Sequence, residues 1–400
     1  MKIDLADSLS YVGGHPFDQY SWLRDHDPVH WHEHGGEGGG FWALTRYPDV
    51  KSVSRSRHFT SVYGCTLYDL DSFTMDAWSG VLLFMDPPEH LVKRDRAQGW
   101  FNRGAVSAMT EAARDIAAEV VDSVIERGEC DLVTEVTGMM PLYFIADILG
   151  FPRSEAVPIF TQVALTTAPA DQVTHAEREG AIKAIYEFAT EVKRDKQRNP
   201  GHDLSSALTD PGHPHALSDE DYLSYFLLVL TGGSDTVRHG LADGLLTLLA
   251  NPEQWNLLRA QGDRVIGSAV EEVLRWSSPV AHMRRTAKQD VEVGGQKIAA
   301  GQKVVMFYGS ANRDESVFER PDEFDISRTR NPHFAFGSGG PHLCLGAGLA
   351  RLEMAALLLE VARRMPDLEV TGDTTWVPSC YIMGPEHVPV SFSPGPRSVR

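Results

Sequence analysis

Apolar residues recur at intervals of three and four along most of this chain. The spacing predicts amphipathic helices over 103–127, after Asp171, over Asp219–Ala250, 264–276 and 345–364. Strand patterning is confined to short clusters. The runs VHWHE and FWALTRY alternate apolar and polar positions on either side of the glycine-rich tract 34–40, which predicts a β-hairpin. A second hairpin is predicted where VEV and QKI flank Gly294 and Gly295, a pair that tolerates the positive φ of a two-residue turn. The strand KVVMFY should follow it. The PGHPH tract 211–215 reads as a turn. The longest helix begins at Ser218, whose spacing to Asp221 suits a capping box, and stops near Asn251 and Pro252. At 1.5 Å per residue it would be about 48 Å long, enough to cross a domain through its core.

Composition narrows the classes. With 400 residues, 42% of them hydrophobic, the chain can bury a large core, which excludes a disordered chain or a stapled miniprotein. Lys and Arg total 37 against 55 Asp and Glu, a net charge of −18, so nucleic acid and anionic membranes are disfavoured as partners. Cys65, Cys130, Cys344 and Cys380 lie far apart with no CxxC pair, which argues against a zinc module or a disulfide framework. The segment MKIDLADSLSY resembles no signal peptide, and no apolar run reaches about 20 residues; a cytoplasmic protein is expected. His30, His32 and His34 alternate as strand metal ligands would. With no further ligand in sight they read as solvated histidines beside a glycine turn.

Four features carry chemistry. Inside the long helix, Thr231-Gly232-Gly233-Ser234-Asp235-Thr236 places two glycines that each cost about 1 kcal/mol relative to alanine. Close helix packing would offset that cost. So would a groove for a flat ligand, beside which Thr236 bonds the carbonyl of Gly232 and Asp235 relays protons. Second, the glycine-rich loop from Phe336 to Gly346 delivers Cys344 to the start of a helix. It lacks the Gly-Lys-Ser/Thr of a phosphate loop, and unpaired N–H groups at such a helix end favour a thiolate. Third, Glu272 and Arg275 share one helix face, as an exposed ion pair or a structural one. Fourth, His90 and Arg94 are i,i+4 neighbours after Asp86-Pro87-Pro88, able to hold one anionic group or simply to face solvent.

In this order the four features resemble the cytochrome P450 family, and the resemblance spans essentially the whole chain. It implies a mainly α fold with small β-sheets, a single domain over 1–400 whose β-rich parts are about 28–60, 280–310 and 366–394. Cys344 resembles the proximal thiolate ligand of haem iron, and Gly346 belongs to the same signature. Asp235 and Thr236 resemble the acid and alcohol of the oxygen-activating helix, with Gly232 and Gly233 bordering the haem groove. Glu272 and Arg275 look like the family's structural ion pair, joined by Arg328. His90, Arg94, Arg285 and His342 are similar to the residues that bind the haem propionates. One departure stands out: Cys344 follows Phe336 by eight positions, where the commoner form of the loop has seven.

The resemblance implies a haem-thiolate monooxygenase with haem b, using O2 and two electrons from NAD(P)H through redox partners. His342, Arg351, Lys93, Arg94, Arg96 and Arg103 are expected to form a basic patch for an acidic ferredoxin, itself served by a ferredoxin reductase. A peroxide-driven enzyme, a partner-recruiting relative and a haem gas sensor are the alternatives. Retention of Asp235, Thr236 and Cys344 favours the monooxygenase. By the same analogy 62–84, 159–173, 281–283 and 379–383 line the pocket for a small organic substrate. A steroid, terpenoid or fatty-acid derivative would suit that lining, as would an amino acid tethered to a carrier protein.

Overall fold

The periodic segments fold as helices, with one division. The computed structural model describes residues 2–33, 39–69, 72–168, 173–210, 212 and 216–398, so most of both glycine- and proline-rich turn tracts lies outside the described residues. Helices occupy His175–Arg198, Asp219–Ala250, Ile266–Ser277 and Ala347–Arg364. The stretch expected as one helix from 103 breaks at Met109 into Arg103–Ala108 and Thr110–Asp122. Only the second has an apolar face to bury (Ala113, Ile116, Ala117, Val120 and Val121). The first buries nothing and rests on its cap, the Asn102 side chain accepting from Ala105 N at 3.0 Å.

Ser218 caps the long central helix by accepting from Asp221 N at 3.1 Å. The Asp221 carboxylate does not complete a capping box; it pairs with Lys93 at 2.5 Å. The reciprocal box occurs instead between Thr174 and Glu177, at the start of the helix His175–Arg198. The central helix packs against Met139–Leu149, Ile266–Ser277 and Ala347–Arg364, and these helices supply most of the main core. Leu132–Leu149 is long and apolar enough to cross a membrane by composition, and 72% of it is buried inside the protein.

Both predicted hairpins form. Val29–His32 pairs antiparallel with Phe41–Leu44, and Val291–Val293 with Gln296–Ile298 across Gly294 and Gly295, whose φ angles are 55° and 82°. Phe41–Leu44 also pairs in parallel with Lys303–Phe307, which joins His282–Ala287 and Phe59–Thr60 in a five-stranded sheet. Glu129–Asp131, Pro389–Ser391 and Glu369–Val370 form a separate three-stranded sheet.

Between Ala311 and Ala347 the chain has neither helix nor strand, and this segment delivers Cys344. It is held by Glu272 and Arg275, whose side chains are both 0% exposed and bridge at 2.8 Å. Arg275 also donates to the carbonyls of Asn312, Pro321 and Glu323, while Glu272 accepts from Asp325 N, Arg328 Nε and Asn331 Nδ2. The pair is therefore structural and fully desolvated, and each charge has its hydrogen bonds satisfied. Removing one partner leaves the other buried without compensation, at a cost of about 3–5 kcal/mol. Glu272→Ala and Arg275→Ala should each give little folded, haem-loaded protein. Thermal denaturation with haem quantification checks this, and wild-type yield and stability for both variants would contradict it.

Candidate functional site

One cavity of about 840 Å³ runs between the central helix, the cysteine loop and the five-stranded sheet. Its wall includes His90, Arg94, Gly232, Gly233, Asp235, Thr236, Arg285, His342, Cys344 and Gly346, so every site residue expected from the sequence meets there. Parts of all four expected substrate-lining segments border the same space, although from 281–283 only Met283 does, beside Pro279 and Val280. Residues 169–172 lie outside the described residues.

The cysteine loop is shaped by its own backbone and by the neighbouring helix Tyr47–Arg55. Cys344 N donates to Phe336 O at 3.0 Å, closing the loop across its extra residue. Arg55 Nε donates to Ser338 O at 3.0 Å and Ser54 Oγ to Gly339 O at 3.1 Å. Gly340 has φ 80°, and a Cβ there would lie 2.9 Å from Ser54 O, so the inserted turn needs glycine for both conformation and clearance. The ring of Phe336 lies under the Arg351 guanidinium, 4.5 Å from its centroid.

Cys344 is surrounded by protein on all sides, yet its surface is open because it faces the cavity. Burial pushes its thiol up and is the larger effect; N–H groups of Gly346 and Ala347 and the charges of Arg94 and Arg351 act the other way. The helix end alone therefore does not ionise the sulfur. A thiolate at this position needs a cation beside it, as a metal ligand has.

Across the cavity wall a second group of residues asks for an anion. His90 Nδ1 is buried without a hydrogen-bond partner, and the rings of His90 and His342 lie with centroids 4.5 Å apart and planes tilted by 49°. Burial and the charges of Arg94 and Arg285 hold His90 near pKa 4. Burial, Arg285, His90 and Arg94 lower His342 to about 2. Arg94 forms no ion pair or side-chain hydrogen bond, and Arg285 donates only to Arg284 O, among the described residues. Half-buried and buried guanidinium groups that face a cavity with no carboxylate bound to them make a receptor for an anionic ligand. With a cation beside Cys344, the donor set fits an iron porphyrin bearing two carboxylates.

On the central helix, Thr236 Oγ1 donates to Gly232 O at 3.0 Å and Asp235 Oδ1 lies 3.5 Å from Arg238. The two glycines differ. A Cβ on Gly232 would meet nothing within 4 Å, whereas one on Gly233 would lie 2.9 Å from Ile145 Cδ1. Gly233 serves close helix packing and Gly232 borders the cavity, so both readings of the double glycine hold, one at each position.

The expected basic patch is largely dismantled. Lys93 is buried, donating to Gly80 O at 2.6 Å and paired with Asp221; Arg94 and His342 face the cavity; Arg351 is bound to Glu271 at 2.5 Å. Arg96 and Arg103 remain at the surface. Helical spacing shows which residues share a face but not which charge finds a partner inside. The strand histidines are also corrected. His32 is 6% exposed and its Nε2 accepts from Leu5 N at 3.0 Å; His30 Nδ1 bonds Asp27 at 2.7 Å; His34 lies outside the described residues. Among the described residues no cluster of His, Cys, Asp and Glu suits a metal ion. Two wall residues escape sequence reasoning. Glu353 is buried with Oε2 unpartnered, its carboxyl raised well above the usual range by burial, and Arg178 is 9% exposed. The apolar run around Glu353 is the one signal that marks it.

Comparison with known proteins agrees with this architecture. The family described as Cytochrome P450 matches residues 101–365. The chain is 37% identical over 363 residues to a methyl-branched lipid omega-hydroxylase of Mycobacterium tuberculosis, covering 89% of this chain and 85% of the relative. It is 31% identical over 400 residues to a steroid C26-monooxygenase of Rhodococcus jostii, covering 97% and 84% respectively. The solved Mycobacterium marinum cytochrome P450 CYP268A2, in complex with pseudoionone, superposes with a TM-score of 0.90 at 32% identity, covering 98% of this chain and 99% of that one. Fold and relatives define a haem-dependent monooxygenase. The chain belongs to the cytochrome P450 family, whose members use haem b, O2 and externally supplied electrons to oxidise an organic substrate.

The split between the glycines is testable with Ile145. Gly233→Ala should cost about 1 kcal/mol through overpacking, and Ile145→Val should relieve it. Gly232→Ala should show no such coupling. A double-mutant cycle of thermal unfolding measures both, and equal coupling at the two positions would contradict the assignment.

Proposed function

We propose that this monooxygenase oxidises an elongated, mainly apolar lipid near one end of its chain. Cys344 is the thiolate ligand of haem iron in this reading, His90, Arg94, Arg285 and His342 hold the haem carboxylates, and Gly232, Gly233 and Gly346 keep the adjoining walls low. The observation that carries the reading is the cavity itself. It joins the anion-seeking residues and Cys344 to an apolar wall that includes Trp78, Leu82, Phe84, Ile145 and Val229. Two similar proteins are named for oxidation of a methyl-branched lipid at its omega position and of a steroid at C26, which supports a long substrate reacting near an end.

Bound haem supplies the activation of O2 and the insertion of one oxygen atom into a C–H bond. The chain supplies orientation and protons. Thr236 Oγ1 is fixed by its bond to Gly232 O at the cavity wall, where its hydroxyl can accept and pass on a hydrogen bond. The Asp235 carboxylate, partly exposed beside Arg238, carries protons from solvent to that hydroxyl. Trp78, Leu82 and Phe84 exclude water from the substrate. Electrons reach the enzyme from an acidic ferredoxin and its reductase in the cytoplasm. Arg55, Arg96 and Arg103 are the surface cations on the elements around the cysteine loop that support this docking.

Cys344→Ser should abolish the strongly red-shifted Soret band of the reduced carbon monoxide complex, and Cys380→Ser should keep it. The reverse pattern would reassign the ligand. Thr236→Ala should leave ligand-induced spin shifts nearly intact while diverting reducing equivalents into hydrogen peroxide. Asp235→Asn should slow turnover instead. Product formed per NAD(P)H consumed, with hydrogen peroxide assayed in parallel, measures both. Unchanged coupling in Thr236→Ala would remove its hydroxyl from the mechanism. For the substrate class, spin-state titration with long-chain lipids, steroids and compact polycycles, followed by product analysis, should favour the elongated ligands and locate oxygen near a chain end.

A further inference from the structure

Among the described residues, the charged groups of the cavity wall can be accounted for one by one, and one cation is left over. Lys303 is bound to Asp69 at 2.5 Å, and Arg284 holds the same carboxylate at 2.6 Å. Asp235 has Arg238 nearby, and burial pushes the Glu353 carboxyl well above the usual carboxylate range. His90, Arg94, Arg285 and His342 are taken by the haem carboxylates in the reading above. Arg178, on the helix His175–Arg198, remains.

Arg178 is 9% exposed. One terminal nitrogen donates to Thr166 O at 2.6 Å and the other to Ala168 O at 2.8 Å, at the C-terminal end of the helix Ala156–Thr167. Those carbonyls and the helix end offset roughly half an elementary charge. No carboxylate pairs with Arg178 among the described residues. Glu177 is engaged in its own capping box, and Glu179 faces solvent. Two of the five N–H donors are used, and the group borders a mainly apolar cavity. A buried guanidinium with charge and donors to spare binds a planar anion well, and a carboxylate matches its fork.

We propose that Arg178 binds the carboxylate of a free long-chain aliphatic acid, so that the acid end is held at this wall while the alkyl chain extends toward Cys344. The proposal rests on the lipid-oxidation reading and adds the chemical class of the substrate and a specificity-determining residue. Anchoring one end fixes which carbon reaches the oxidising centre, so chain length selects the position of hydroxylation. A thioester on a carrier protein has no such charge and would gain nothing from Arg178.

The test is spin-state titration of the haem-loaded enzyme with decanoic, tetradecanoic and octadecanoic acids and their methyl esters. Wild type, Arg178→Lys and Arg178→Ala are compared, with haem content and melting temperature recorded for each. Wild type should bind the best acid roughly tenfold more tightly than its ester. That ratio should fall to about one in Arg178→Ala and recover in part in Arg178→Lys, with ester affinity unchanged. Equal loss for acid and ester in Arg178→Ala would show that the residue only straps the loop, and overturns the proposal. So would a wild type that does not prefer acids, or an acid preference that survives Arg178→Ala. Failure of the underlying reading looks different: no ligand of either kind shifts the spin state, or the wild type lacks the carbon monoxide band.

Discussion

The buried ion pair of Glu272 and Arg275 is the constraint on which the site depends. A long irregular segment costs conformational entropy and offers few backbone bonds of its own. Here it is pinned from a single helix turn, because Arg275 takes carbonyls at Asn312, Pro321 and Glu323 while Glu272 takes donors at Asp325, Arg328 and Asn331. Asn312 extends the anchor, donating to Ser278 Oγ and accepting from Phe334 N, two residues before the cysteine loop. Desolvating the two charges is costly, and the many bonds to each offset that cost. The result is a segment without regular structure that still places Cys344 at a defined point against the central helix.

The cavity is organised by the opposite condition. Arg94 and Arg285 form no ion pair among the described residues, whereas Lys303 in the same wall is bound to Asp69 and the buried Glu272 and Arg275 hold each other. Arg94 and Arg285 suit an anion there, beside the tilted rings of His90 and His342, and Cys344 at the same wall would be a thiolate only with a cation beside it. These unmet requirements face the same space from several elements. That is why the site can be recognised from the apoprotein's own electrostatics as well as from its relatives.

Much of the fold was legible in the chain because local rules decided it. The central helix matches its expected bounds at Asp219 and Ala250, between Ser218 and Asn251, and the glycine-turn hairpins form where alternation placed them. The cysteine loop and the Thr236 bond to Gly232 were legible for the same reason, since each lies within a few residues of chain.

Contacts between distant segments were not legible. Sequence spacing put Lys93 and Arg351 on accessible faces, but Asp221 and Glu271, from other helices, neutralise them and remove them from the basic surface. Arg178 had no motif at all; that no acid among the described residues pairs with it emerges only when the helices on either side of it pack. The sequence by itself determined the element boundaries, the ligand loop and the chemistry available, because periodicity, caps and turns act over a few residues. Only the tertiary structure decided which charges are compensated and which are left facing the cavity, because compensation depends on groups brought together from far along the chain.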